Sequence, residues 1–363
     1  MSQGLVSIPL TDDALMERCL ELAMMGSGRV LSNPLVGAII FDKKNRKIIS
    51  EGFHEKFGNP HAEINALSRT HFEKDANYVM YVNLEPCCIH GKTPPCTDAI
   101  LKSPVEEIVI GTPDPNPAMN GTSIEILRKA GKKVITGIKR ELCEFVNRRF
   151  FTYWLKRRPY VILKWASSIN GVMGSTHQKI KITDLEDHLV HKWRATEMAI
   201  LIGGKTLRID NPLLTVRKWY GIDPIVCILT AHKPPSMPLN FVSEGRRIII
   251  FTTFEEAKQS WEEMGFKEIV LLPQTKTIHN LLNYLWDCGV ISLMVEGGPL
   301  LISNFLRENL WDEARWIVKH KYIQGDVKVP DFPMSPLIHA ELEGATLLVF
   351  FNENPKCYSL SFL

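Results

Sequence analysis

The sequence predicts two α/β domains in one chain, and three observations lead there. At 363 residues it is long enough for two hydrophobic cores. Short β-rich runs alternate with helical stretches along most of its length, the pattern of sheets covered by helices on both faces. A polar and basic segment, Asn147–Pro159, interrupts the alternation and places the junction. The expected division is therefore 1–147 and 158–363.

Residues 12–25 open with Asp12 and Asp13 and carry Leu15, Cys19, Leu22 and Ala23 at helical spacing, predicting a first helix. Strands are expected at Leu35–Phe41, Tyr78–Leu84, Glu107–Gly111 and Lys133–Ile138, with helices at 61–70, 96–103 and 122–130 between most of them. This half reads as a three-layer α/β/α domain. Beyond the junction, strands are expected at Tyr160–Trp165, Met198–Ile202, Ile225–Leu229, Arg247–Phe251, Glu268–Leu272 and Ser292–Val295. Helices are expected at 184–194, 254–264 and 277–287, and another follows Gly297-Gly298 with Leu300, Leu301 and Phe305 on it. The tail from about Lys321, broken by Pro330, Pro333, Pro336 and Pro355, yields no readable element.

Composition narrows the class. Hydrophobic residues at 45% and charged residues at 23% are ordinary for a globular protein. Eight cysteines are too few for a disulfide scaffold, and Cys87, Cys88 and Cys96 crowd together as metal-binding or catalytic thiols do in a reducing compartment. Acidic residues interrupt any N-terminal apolar run and no apolar run approaches membrane length, so a cytoplasmic protein with no membrane partner is expected. The net charge of +3 and the absence of a broad basic block argue against nucleic acid. Arg148, Arg149, Lys156, Arg157 and Arg158 read as a solvated helix face.

The strongest chemical signal is His61-Ala62-Glu63, followed by Glu85-Pro86-Cys87 and Cys96. One imidazole and two thiolates make three ligands, the number a catalytic zinc keeps when its fourth position is left for water. Glu63 is placed to move protons between that water and a departing amine without ligating the metal. His-x-Glu with a later Pro-Cys and Cys is the pattern of zinc nucleobase deaminases. Pro60 and Pro94-Pro95 precede the two helices that begin near His61 and Cys96, where proline suits a first turn. Taken singly, each of these residues reads as a core histidine, a small buried thiol or a surface acid; together and in this order they read as a metal site. Cys88 is expected to pack rather than ligate.

These residues, with Gly91-Lys92-Thr93-Pro94-Pro95-Cys96, Asn33-Pro34-Leu35-Val36-Gly37, Gly52-Phe53-His54 and Asp114-Pro115-Asn116-Pro117, resemble the bifunctional diaminohydroxyphosphoribosylaminopyrimidine deaminase / 5-amino-6-(5-phosphoribosylamino)uracil reductases of riboflavin biosynthesis. Eight residues separate Cys87 from Cys96, whereas cytidine and tRNA deaminases usually have two there. The resemblance implies a cytidine-deaminase-like first domain acting on a pyrimidine ribosyl phosphate, with Asn33, His54, Lys92 and Asn116 touching substrate. Read alone, Asn33 and Asn116 are turn residues and Lys92 is a solvated lysine. The family usually has His two positions after the first cysteine ligand, where this chain has Ile89 and then His90.

The second half is quieter when read from its residues. Val295-Glu296-Gly297-Gly298-Pro299 joins a strand to a helix and offers backbone N–H groups to a phosphate, a weak signal alone. Leu163-Lys164-Trp165-Ala166, His191-Lys192-Trp193-Arg194, Gly203-x-x-Thr206 and Asp210-Asn211-Pro212-x-Leu214-Thr215-x-Arg217 are similar to the reductase domain of the same family. That resemblance implies a dihydrofolate-reductase-like α/β fold and NADPH as hydride donor; a homo-oligomer is also expected. It also implies Arg194, Leu214, Arg217 and Glu296 at the substrate, the arginines as bidentate phosphate ligands, and Ala166, Thr206, Asp210, Gly297 and Gly298 at the dinucleotide. Lys164, a lysine inside an apolar strand, is the candidate to polarise the sugar. The chain departs from the family at Asn170, Lys181 and Thr230, and Asn170 keeps an acceptor oxygen where the family has Asp. A deaminase with a silent reductase-like domain is the second reading, and a nucleic-acid-editing deaminase the third.

Overall fold

The computed structural model describes residues 10–91, 94–175, 184–332 and 334–356. It divides into two compact units, one reaching to Leu155 and taking in Lys356, the other Lys156–Pro355.

The elements of the first unit are α1 (Asp12–Met24), β1 (Gly37–Asp42), β2 (Lys47–Phe53), α2 (Ala62–Ser68), β3 (Tyr78–Leu84), α3 (Cys96–Lys102), β4 (Glu107–Thr112), α4 (Thr122–Lys129), β5 (Lys133–Thr136), α5 (Arg140–Val146) and α6 (Arg148–Lys156), which crosses the division. The strands form one sheet in the order β2-β1-β3-β4-β5. β1 runs antiparallel to β2 and β3, while β3, β4 and β5 are parallel. β1, β3 and β4 are buried along their whole length, which is why they read as continuous apolar runs rather than alternating ones. One sheet face packs Ile39, Tyr81 and Val109 against Leu15, Cys19 and Leu22 of α1 and Val146 of α5. The other packs Ile40, Val82 and Ile110 against Ala66 of α2, Ile100 of α3, Leu127 of α4 and Phe150 of α6. β2 lies at the sheet edge and was not expected. Gly52 lets it meet α2, since a Cβ there would lie 2.4 Å from the Ala62 carbonyl oxygen.

The basic segment is helical but not a purely solvated face: Arg148 is buried, and its guanidinium donates to the Phe145 carbonyl at 3.1 Å. Its aliphatic stem packs where a fully hydrated arginine was expected.

The second unit contains β6 (Tyr160–Ser168), β7 (Val172–Gly174), α7 (Asp184–Thr196), β8 (Ala199–Gly203), α8 (Gly204–Asp210), β9 (Ile225–Leu229), β10 (Ile248–Thr252), α9 (Glu255–Glu263), β11 (Ile269–Leu271), α10 (Thr277–Asp287), β12 (Ser292–Val295), α11 (Pro299–Arg307), β13 (Glu313–Lys319), β14 (Val327–Lys328), β15 (Ile338–Leu342) and β16 (Ala345–Phe351). Its main sheet has the order β11-β10-β9-β8-β12-β6-β13-β16-β15. The strands from β11 to β13 are parallel, and β16 and β15 close the sheet antiparallel. Alternation along β6 sends Val161, Leu163 and Trp165 to the core under α10 and α11, and Ile162 and Ala166 to the core under α7. Lys164 shares the α7 face and is buried. The unreadable tail thus supplies β15 and β16.

Candidate active sites

His61 stands immediately before α2, Cys96 opens α3, and Cys87 lies in the loop after β3. Their ligand atoms lie within 4.8 Å of one another, with the Cys87 and Cys96 sulfurs 3.5 and 3.3 Å from His61 Nδ1. Cys87 is held well below the ordinary thiol range, first by the Cys96 thiol and then by His61; Cys96, which donates to it, is pushed up for the same reason. Glu63, on the first turn of α2, is 3% exposed, and its Oε2 is buried without a hydrogen-bond partner. Burial pushes its carboxyl up. A nitrogen and two sulfurs converging beside an unpaired buried carboxylate oxygen fit a three-ligand zinc with a proton carrier. Cys88 is outside this cluster, its sulfur 3.9 Å from Met119 Sδ.

His54 Nδ1 lies 3.2 Å from the Pro60 carbonyl, which can only accept, so Nδ1 carries the proton and Nε2 accepts. The Asn33 amide nitrogen sits 3.0 Å from that Nε2, leaving its amide oxygen as the outward acceptor. The His54 and His61 rings meet edge to face at 5.2 Å. Two asparagines not singled out from the sequence hold the Asn33–Leu35 segment. Asn83 donates to the Leu35 carbonyl at 3.0 Å, and Asn147 both donates to that carbonyl at 2.9 Å and accepts the Leu35 N–H at 2.8 Å. Asn83 carried a usable signal, an amide within an apolar strand run. Asn116 sits in a turn, its side-chain oxygen accepting the Ala118 N–H at 3.1 Å. Glu85, buried, accepts N–H groups of Asp114, Gly121, Ser123 and Ile124 and the Ser123 hydroxyl, fixing that turn against α4. Lys92 and Lys181 lie outside the described residues.

In the second unit a cleft of about 1140 Å³ opens along the sheet. Lys164, Ala166, Arg194, Thr206, Asp210, Leu214, Arg217, Glu296, Gly297 and Gly298 all line it, although they span more than 130 residues of sequence. Ends of parallel strands, flanked by helix starts, are where such sheets bind ligands. Gly297 packs closely there, since a Cβ would lie 2.7 Å from the end of the Leu301 side chain. Within the cleft, Arg194 Nε and Nη2 each lie 2.8 Å from one oxygen of Glu296, and Lys164 Nζ is 3.9 Å from Glu296 Oε2. Burial alone would raise Glu296, but Arg194 and Lys164 overcome it and hold it at about 2. Burial lowers Lys164.

The fork of Arg194, expected to be open for a phosphate, is instead spent on Glu296, and its Nη1 reaches the Thr215 carbonyl at 3.4 Å. Arg217, exposed in the cleft, makes no hydrogen bond among the described residues, and its charge acts on Asp187. Asn170 accepts from the Ser168 hydroxyl at 2.6 Å and donates to the Ile323 carbonyl at 3.0 Å, a turn role outside the cleft lining. Thr230 lines the cleft and accepts the His232 N–H at 3.1 Å.

Residues 10–112 match the cytidine and deoxycytidylate deaminase zinc-binding region, and residues 159–329 match the RibD C-terminal domain. Riboflavin biosynthesis protein RibD of Aquifex aeolicus is 35% identical over 353 residues, covering 94% of this chain and 98% of the relative. The Escherichia coli RibD protein is 31% identical, covering 88% and 90%. Among solved structures, a diaminohydroxyphosphoribosylaminopyrimidine deaminase/5-amino-6-(5-phosphoribosylamino)uracil reductase from Thermotoga maritima superposes with a TM-score of 0.81 at 34% identity, covering 93% of this chain and 97% of that one. Acinetobacter baumannii RibD gives 0.82 at 29% identity, covering 94% and 98%. Carrying both domain signatures and matched over almost its whole length, the chain belongs to the RibD family, the bifunctional deaminase and reductase enzymes of riboflavin biosynthesis.

Proposed function

We propose that the first unit deaminates 2,5-diamino-6-ribosylamino-4(3H)-pyrimidinone 5′-phosphate and that the second reduces the ribosyl chain of the product to ribityl with NADPH. The observation that carries the deaminase assignment is the convergence of His61, Cys87 and Cys96 beside the unpartnered Glu63 oxygen. Zinc, when bound by those three residues, supplies the Lewis acidity that activates a water. Glu63 takes the proton from that water and delivers it to the departing amine. Asn33, its nitrogen committed to His54, presents an acceptor to the amino or N–H edge of the pyrimidine. The Asn116 side-chain oxygen is used in its turn, so its amide nitrogen is the group left to donate to the ring.

In the reductase cleft Lys164 is the group that hydrogen-bonds the sugar oxygen as hydride arrives, positioned against Glu296 and lowered toward proton donation by burial. Glu296 and Arg194 hold the substrate end, and Leu214 and Arg217 take the phosphate. NADPH, when bound along Ala166, Thr206, Asp210 and the Gly297–Gly298 turn, supplies the hydride. Of the two departures behind the silent reading, Asn170 and Lys181, the first is held in a turn outside the cleft lining, which favours an active reductase; Lys181 lies outside the described residues. Free thiols at Cys19, Cys143 and Cys227 suit a cytoplasmic enzyme.

The test is one assay with purified protein, the diaminopyrimidinone ribosyl phosphate and NADPH. Ammonia release followed by loss of nicotinamide absorbance supports both steps. Ammonia without NADPH oxidation or binding leaves a one-step deaminase.

A further inference from the structure

We propose that Arg246 is a positioning residue for the reductase, fixing segment 211–217 in the conformation that presents Leu214 and Arg217 to the cleft. The inference rests on the reading above that these two residues hold the substrate phosphate.

Arg246 does not line the cleft. Its guanidinium addresses peptide carbonyls instead of a carboxylate: Nη1 donates to Leu213 at 2.8 Å and to Phe241 at 3.4 Å, Nε donates to Pro224 at 3.3 Å, and Nη2 donates to Leu214. No ion pair of Arg246 exists among the described residues. A half-buried arginine that gives up hydration for backbone carbonyls is spending its charge on shape.

The segment it grips needs fixing. Leu214 has φ 54° and Asn211 φ 37°, left-handed conformations that cost free energy in residues other than glycine. Each strained residue has its own clamp. Asn211 accepts the Asn240 N–H at 3.0 Å, receives the Asn240 side-chain amide on its carbonyl at 2.8 Å, and donates to the Pro238 carbonyl at 2.8 Å. Leu214 has Arg246. Farther along, Arg194 takes the Thr215 carbonyl at 3.4 Å and Asp223 takes the Val216 N–H at 2.7 Å. With the Leu213 and Leu214 carbonyls claimed, the two residues' own N–H groups hold no hydrogen bond among the described residues. Those amides beside Arg217 are the donors a phosphate would take. The two adjacent carbonyls suit a planar fork, which lysine cannot reproduce.

The experiment uses the full chain with the deaminated substrate, its dephosphorylated form and NADPH. Arg246→Lys and Arg246→Gln should raise KM for the phosphorylated substrate about tenfold or more, as losing a charge-assisted hydrogen bond at a binding loop does. Turnover should stay within about twofold, and KM for the dephosphorylated form and the dissociation constant for NADPH should hold, as a loop-positioning role requires. Unchanged NADPH affinity also reports that the unit is folded, and if the Gln variant does not fold, the Lys variant carries the test. Wild-type KM in both variants, or a joint loss of turnover, NADPH affinity and both KM values, overturns the proposal. Arg217→Ala separates it from the reading beneath: no effect of that change on KM for the phosphorylated substrate sinks the phosphate assignment itself. An effect of Arg217→Ala without one at Arg246 overturns only the positioning role.

Discussion

Glu63 and Glu296 are both largely withdrawn from water, yet their surroundings treat them oppositely. Glu63 has a buried oxygen with no partner, and burial raises its carboxyl. Glu296 is gripped on both oxygens by Arg194 with Lys164 alongside, and is held at about 2. A carboxylate with one buried oxygen left unpaired has a free lone pair on which to take up a proton. A carboxylate tied to two cations is committed as an anion, and its work is to hold other groups in place.

The comparison breaks most sharply at Glu63. Glu63→Gln should keep one zinc per chain, measured by metal analysis, and lose about 10²–10⁴-fold in ammonia release, with NADPH oxidation on pre-deaminated substrate unchanged. Near-normal deamination by a zinc-loaded variant would assign the proton to another residue.

Glu296→Gln tests the opposite case. It strands Arg194 and Lys164 as buried cations, so the reductase unit should lose about 3–5 kcal/mol in denaturant unfolding while deamination persists. The pH dependence follows from the depressed carboxyl. Its stabilising contribution is fully present above the ordinary 4.5 and is lost as pH falls toward about 2. The unfolding free energy of the reductase transition across that window should fall by on the order of 3 kcal/mol in the parent, and the variant should lose that slope.

The smallest effect sharpens the metal assignment. Cys88→Ser should retain one zinc and nearly parental deamination, since its sulfur neighbours Met119 rather than the cluster. Loss of zinc in that variant would redraw the ligand set.

The same contrast governs what was legible in the sequence. His61 and Glu63 share one helix start, and Cys87 and Cys96 are joined by a short loop with Pro94-Pro95, so local spacing already carried the zinc chemistry. The fate of the Arg194 fork was not readable, because its partner lies 102 residues away and meets it only when β12 joins the sheet. Most of the parallel strands were visible as buried apolar runs. β2 was missed because its seven residues mix exposed, half-buried and buried positions at a sheet edge. β15 and β16 were hidden by the prolines before and after them, which break the pattern without preventing an antiparallel pair. At Asn170 the acceptor oxygen that the sequence retained is in use: it takes the Ser168 hydroxyl while the amide nitrogen donates to the Ile323 carbonyl, a contact 153 residues away that no local pattern announces.

The strand order of the larger sheet also dictates a timetable. β6 is the first strand of its unit to leave the ribosome, but both its neighbours, β12 and β13, are encoded more than a hundred residues later. Until they emerge, a nine-residue apolar strand has two open edges. The smaller sheet, by contrast, has all its strands once Thr136 is made. Newborn chains therefore pass through a stage with a complete deaminase sheet and an unpaired, aggregation-prone β6, and a chain truncated before β12 is trapped there.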